Sequence, residues 1–333
     1  MTPGEFVIGV DIGGTKVAAG IVNPEGQILA STRAPMVARK TAEDGLAAVR
    51  SAIDALREGA PNLKPAAIGI STPGWVDAHT GTVLKASNLP CWQEYPLGKV
   101  IAAHYRLPAR VENDANCAAL AEAVWGAGAD YRNVFYVSLG TGIGTGMVNA
   151  QRVYSGRTGM AGEGGHMTID YAGPKCPCGK QGCIEMYASG PAIGARARAV
   201  LTRSSRSLML ELADGKVSAV SAHTVGKAAL NGDPLAVKVL QEAADYLAIW
   251  LGNIIDLLEP DVIVVGGGLG HLMASFFSYI RGRLTRWSIN PRAQQLPIVS
   301  ALYGAESGIA GSAALWLQPT ASEPARAKRS TSV

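Results

Sequence analysis

The chain has 333 residues, 48% of them hydrophobic and 17% charged, with a formal net charge of +4. That length and balance fit one large folded domain or two of ordinary size, and they exclude a largely disordered chain. The mild, scattered positive charge gives no support for nucleic-acid binding, and Asp256 and Glu259 interrupt the most hydrophobic stretch, Leu247 to Val265, so no membrane-spanning helix is expected.

At the start of the chain no basic segment precedes the apolar run, and Asp11 lies inside it, which argues against a signal peptide and for a cytoplasmic protein. Phe6 to Asn23 holds two β-rich runs joined by a glycine turn, a hairpin pattern. A helix follows around Thr41 to Glu58, then a strand Ala66 to Ser71, then a strand Ala109 to Asn113 leading into a helix Ala115 to Trp125. Val134 to Asn149 repeats the opening plan: Gly20-Ile-Val-Asn23 matches Gly146-Met-Val-Asn149, which suggests an internal duplication at about half-chain spacing. Helices are expected near Pro191 to Leu201, Val225 to Leu230 and Pro234 to Leu258, followed by a buried strand Val262 to Val265 and a last helix Ala305 to Leu317. Alternating periods of this kind belong to an α/β fold. The domain boundary is placed at residues 120/121, within Cys117 to Gly128, and the Ser-, Pro- and Ala-rich tail 319–333 reads as a mobile extension.

Three turns, Gly13-Gly14-Thr15, Gly140-Thr-Gly-Ile-Gly144 and Gly266-Gly-Gly268, follow strands. Glycine there permits close backbone approach and aims N–H donors at an anion, so each is a candidate phosphate cradle, although each alone also reads as a tight hairpin. No stretch matches the Walker or the dinucleotide-binding glycine pattern. Asp11 places a carboxylate where a magnesium ion shared with a triphosphate needs an oxygen or a held water, and Lys16 could offset phosphate charge. Asp114 stands at a strand–helix junction, where it either caps the helix or accepts the proton of an attacking hydroxyl, with Asn113 orienting the acceptor. Glu112 and Glu122 read as ordinary strand and helix-surface groups.

His166, Cys176, Cys178 and Cys183 form the pattern H-x9-C-x-C-x4-C. One histidine and three thiolates satisfy a closed tetrahedral zinc site, so a structural Zn²⁺ is expected with no open position for substrate. Three cysteines within eight residues suit a metal in a reducing compartment better than a disulfide framework, and the isolated Cys91 and Cys117 read as packing residues.

Asp11-Ile-Gly-Gly-Thr-Lys16, Ser71-Thr-Pro-Gly74, Asn88-Leu-Pro90, Glu112-Asn-Asp-Ala-Asn116, Gly140-Thr-Gly-Ile-Gly144, Gly162-Glu-Gly-Gly-His166 and Gly182-Cys-Ile-Glu185 follow one another in this order. On these motifs the chain resembles the ROK family of sugar kinases and repressors, most closely its bacterial glucokinases, over roughly Val7 to Leu317. The resemblance implies an actin-like ATPase (ribonuclease H-like) fold of two domains with a cleft between them. Residues 1–120 would form the smaller domain, rejoined by the helix 305–317, and 121–304 the larger, zinc-bearing one.

It further implies ATP with Mg²⁺ as phosphoryl donor, a hexose as acceptor, and Asp114 as general base. Asn88, Asn113, Glu163, His166 and Glu185 would hold the sugar, although Glu163 and Glu185 by themselves read as surface charges or partners of the metal shell. Asp11, Gly13, Gly14, Thr15, Lys16, Gly140, Thr141, Gly142, Gly266, Gly267 and Gly268 would serve ATP and Mg²⁺. Glucose is the expected acceptor, with N-acetylmannosamine, N-acetylglucosamine, fructose or mannose as alternatives, and a homodimer or tetramer is expected. Six residues precede Val7, too few for a DNA-recognition helix, so the sensing-repressor arrangement is not expected. Gly164 departs from the family pattern, which often carries a bulkier apolar residue there.

Overall fold

The computed structural model describes residues 5–36, 41–86, 89–201 and 206–317. The expectations for Asn88 and for the tail 319–333 lie outside the described residues. In chain order the first elements are β1 (Phe6–Ile12), β2 (Lys16–Val22), β3 (Ile28–Pro35), α1 (Ala42–Gly59) and β4 (Pro65–Thr72). The short β5 (Trp75–Asp77), β6 (Thr82–Lys85) and β7 (Gln93–Tyr95) come next, then α2 (Leu97–Tyr105), β8 (Ala109–Asn113) and α3 (Asp114–Val124). After these come β9 (Asn133–Leu139), β10 (Ile143–Asn149), β11 (Arg152–Val153), α4 (Glu185–Ala188), α5 (Gly190–Val200), α6 (Leu208–Glu211), α7 (Ala222–Leu230) and α8 (Pro234–Leu258). The last described elements are β12 (Val262–Gly266), α9 (Gly270–Ala274), α10 (Phe277–Trp287), β13 (Ile298–Ser300) and α11 (Ser307–Ala314).

Among the described residues one five-stranded sheet has the order β3-β2-β1-β4-β8 and a second the order β11-β10-β9-β12-β13. Taken by rank these are the same order, so the short sequence repeat is the visible trace of a duplicated sheet. In the first sheet β1 runs antiparallel to β2 and parallel to β4, and β4 runs parallel to β8. This duplicated arrangement of mixed sheets is the actin-like ATPase fold.

The chain divides into two compact units, one from the described parts of Met1–Tyr136, Gly146–Gly162 and Leu302–Val333, the other from those of Val137–Thr145 and Glu163–Ala301. This division departs from the boundary drawn at 120/121 from the sequence, which falls inside α3. That helix is covered by buried residues on every side and packs against α11, so it cannot be cut without exposing its core face.

In the first unit, Ile8, Val10, Ile12, Ile68 and Ile70 point to one face, where they meet Leu46, Val49 and Ile53 of α1. A capping box at Thr41 and Asp44 starts α1, and its apolar residues recur at helical spacing. The other face carries glycines. A Cβ at Gly9 or Gly69 would run into the backbone carbonyl of Ile309 or Ser312, and one at Gly311 into that of Cys117. These glycines allow α11, buried all along its length, to lie directly on the sheet and on α3. In the second unit, α8 is set by Asp233, whose carboxylate accepts from the N–H groups of Leu235 and Ala236, with Pro234 at the first helical position. The helix ends at Glu259 in the left-handed region, and Asp256 accepts from Ser288 Oγ and Ile289 N–H, which is why charges interrupt this apolar segment. No helix among the described residues is long and apolar enough to cross a membrane.

Candidate functional site

In the first unit, Asp11, Ser71 and Glu112 lie abreast in register across β1, β4 and β8, and Asn113 follows opposite Thr72. The parallel strands thus deliver Asp11 and the start of α3 to one end of the sheet, where α/β folds hold ligands. Ser71 Oγ donates to Asp11 Oδ1 at 3.2 Å. Burial raises the Asp11 pKa, opposed by that hydrogen bond and by Lys16, so a nearby cation would favour its ionised form. Gly13 N–H closes the β1–β2 turn on Lys16 O at 2.9 Å, and Gly14, Thr15 and Lys16 are exposed at its tip.

Asn113 is the N-cap of α3. Its Oδ1 accepts from the N–H groups of Ala115 and Asn116 at 2.9 and 3.2 Å, and its Nδ2 donates to Gly74 O at 2.9 Å. With both acceptor lone pairs engaged, one amide hydrogen has no partner among the described residues and remains for a ligand. Because Asn113 does the capping, Asp114 starts the helix as an exposed carboxylate, its Oδ1 accepting from Ala115 N–H at 2.8 Å.

Glu112 and Glu122 are not the surface groups expected from the sequence. Both are buried, at 3% and 0% exposure, because their carboxylates are used internally. Glu112 accepts from Asn113 N–H, Asn116 Nδ2 and Ser155 Oγ, and burial raises its pKa against these bonds. Glu122 accepts from the N–H groups of Ala127, Leu302 and Tyr303, tying the end of α3 to the segment that leads into α11. No local pattern marks the distant partners of Glu122, which lie up to 181 residues away.

In the second unit two of the predicted glycine turns come together. Gly267, at positive φ, sits against the backbone of Leu139, whose carbonyl accepts from Leu269 N–H at 2.9 Å. At Gly140 and Gly268 an added Cβ would meet no heavy atom of the described residues within 4 Å, whereas at Gly142 it would stand 2.5 Å from Glu185 Oε2. The turns therefore combine positions closed by protein with positions open to a ligand. Glu185 Oε2 accepts from Ile143 N–H at 2.9 Å, and Gly190 N–H donates to Gly140 O at 2.8 Å.

The ligand atoms of His166, Cys176, Cys178 and Cys183 all lie within 4.8 Å of one another. Cys176 Sγ is 3.6 Å from His166 Nδ1, and Cys178 Sγ is 3.8 Å from Cys183 Sγ. A tetrahedron with metal–sulfur bonds of about 2.3 Å and metal–nitrogen bonds of about 2.0 Å has edges of about these lengths. Burial, reinforced by the neighbouring thiols, pushes the Cys183 thiol up to about 12, so a thiolate at Cys183 calls for a cation beside it. The residues fit a closed, four-donor metal site. Glu163, directly before the turn Gly164–His166, is exposed.

The sequence model of the ROK family matches residues 7–319. The chain belongs to the ROK family. A ROK relative, the glucokinase of Streptomyces coelicolor, is 36% identical over 94% of this chain and 98% of its own length. The solved structure of a ROK family glucokinase from Streptomyces griseus, in complex with glucose and AMPPNP, superposes with a TM-score of 0.79 at 36% identity, covering 93% of this chain and 98% of that one. A ROK family transcriptional regulator, a homolog of the E. coli MLC protein, superposes with a TM-score of 0.84 at 28% identity, covering 95% of this chain and 78% of that one. At Gly164, an added Cβ would stand 2.7 Å from Thr145 Oγ1 and 3.3 Å from the Trp250 ring. Gly164 N–H donates to Thr145 Oγ1 at 2.9 Å, so the turn carrying His166 rests directly on β10.

Proposed function

We propose that this chain is an ATP-dependent hexose kinase that phosphorylates the 6-hydroxyl of glucose. The observation that carries this reading is Asp114, an exposed carboxylate that its neighbour's capping leaves unneeded as the N-cap, on a chain 36% identical to glucokinases along nearly its whole length. In the reaction Asp114 takes the proton of the sugar 6-hydroxyl as that oxygen attacks the γ-phosphorus in line. The new O6–P bond forms as the bond from phosphorus to the β,γ-bridging oxygen breaks, giving glucose 6-phosphate and ADP.

Glu163, His166 and Glu185 accept from or donate to sugar hydroxyls, with the free amide hydrogen of Asn113 and with Asn88 as further partners. Carboxylates suit this task because each can accept several directional hydrogen bonds. The turns at Gly13-Gly14-Thr15, at Gly140-Thr141-Gly142 and at Gly266-Gly267-Gly268, with Lys16, hold the nucleotide. Asp11 would hold Mg²⁺, which screens phosphate charge when bound. The four-donor cluster would hold Zn²⁺ in a structural role, which would fix the loop that runs from His166 to Glu185.

ADP release should be measured from ATP and Mg²⁺ across glucose, fructose, mannose, N-acetylglucosamine and N-acetylmannosamine at matched concentrations. Turnover led by glucose is expected, and Asp114→Asn should lower kcat by about 10²–10⁴ while sugar binding persists. Preference for another sugar would correct the substrate and keep the chemistry. Full turnover by Asp114→Asn would remove the assigned base.

A further inference from the structure

The segment that follows the cysteine cluster grips the Gly140–Ile143 turn at both ends. At one end Glu185 Oε2 accepts from Ile143 N–H at 2.9 Å; at the other, Gly190 N–H donates to Gly140 O at 2.8 Å. Gly142 passes so close that a Cβ there would reach Glu185 Oε2, and a Cβ on Gly165, in the turn carrying His166, would run into Ile143 O. Glu185 is two residues beyond Cys183, and Oε1 has no hydrogen-bond partner among the described residues.

We infer that Glu185 is a positioning residue for the nucleotide as well as a sugar partner: its carboxylate holds the Gly140–Gly142 turn in the shape that receives phosphate. The inference rests on the kinase reading above and adds a function that sugar contact alone does not require. An N–H bonded to a carboxylate is worth more than a neutral pair, and glycine-rich backbone released from such a bond regains its freedom to leave the binding shape. The two carboxylate oxygens divide the work, Oε2 on the turn and Oε1 toward the sugar.

The test is affinity for a non-hydrolysable ATP analogue with Mg²⁺ and no sugar, by calorimetry, in the wild type, Glu185→Ala and Glu185→Gln. Metal content and melting temperature establish that each variant is folded. Glu185→Ala should weaken the analogue roughly tenfold or more. Glu185→Gln, whose amide oxygen still accepts from Ile143 N–H but without the charge, should lose clearly less affinity than Glu185→Ala. Wild-type affinity in Glu185→Ala would overturn the inference, as would equal losses in the alanine and glutamine variants. A wild type that binds no nucleotide would instead remove the kinase reading and this inference with it, an outcome distinct from equal affinities.

Discussion

Glu112 and Asp114 are two residues apart and their carboxylates face opposite demands. Asp114 is exposed, while Glu112 is enclosed by Asn113 N–H, Asn116 Nδ2 and Ser155 Oγ. Its raised pKa means that the folded chain holds a proton there more tightly than the unfolded chain does. Where the native state binds more protons, stability falls as pH rises. The contribution of Glu112 is therefore fully present below the ordinary glutamate value of about 4.3 and is lost as pH climbs through the raised value. Glu112→Gln keeps one acceptor oxygen and supplies a donor for Ser155 Oγ, so its urea midpoint should vary less with pH over that window. Parallel pH profiles of the two proteins would show that Glu112 does not titrate there.

At the scale of elements, what decides is how closely α11 approaches the first sheet. Gly9 and Gly69 face the carbonyls of Ile309 and Ser312, and backbone cannot swing aside as a flexible side chain can. Gly69→Ala should destabilise the protein by about 1–3 kcal/mol or more, read as a shift in the denaturation midpoint. An unchanged midpoint would mean that the helix is free to move off the sheet. The same elements explain what the sequence reveals and what it hides. The Ala109–Asn113 and Pro234–Leu258 boundaries match the elements because turn and cap residues mark them locally: Asn113 and Asp233 both cap helices. β3 escaped detection because Ser31, Thr32 and Arg33 give it a polar edge-strand pattern, and β5 to β7 are only three or four residues long. The last helix was expected over 305–317; α11 spans Ser307–Ala314, after a 3₁₀ turn at Gly304–Glu306.

For the molecule as a whole, the two units have different means of support. The first unit closes around a sheet covered on both faces, by α1 and by α11. Within the second, the loop from His166 to Glu185 has little regular structure beyond single β-bridges at Thr168 with Cys183 and Lys175 with Gln181. A metal on its four clustered donors would supply order that the loop's own regular structure does not. Chelation should lower the melting temperature and abolish amide protection between residues 166 and 185, with strands β1, β2 and β4 still protected in hydrogen exchange. Protection in that loop that survives complete metal removal would show that hydrogen bonds alone hold it.

By itself the sequence determined the hairpins, the strand–helix junction at Asn113 and Asp114, the four clustered candidate metal donors and the family, because each is written in short motifs of residues near one another along the chain. Only the tertiary structure decided which glutamates are buried and which glycines are crowded or open. Glu122 owes its burial to Leu302 and Tyr303, and Gly69 its crowding to Ser312, while Gly140 keeps open space beside it. Burial and clearance are set by elements that meet across long stretches of chain, and no local periodicity records which of them will meet.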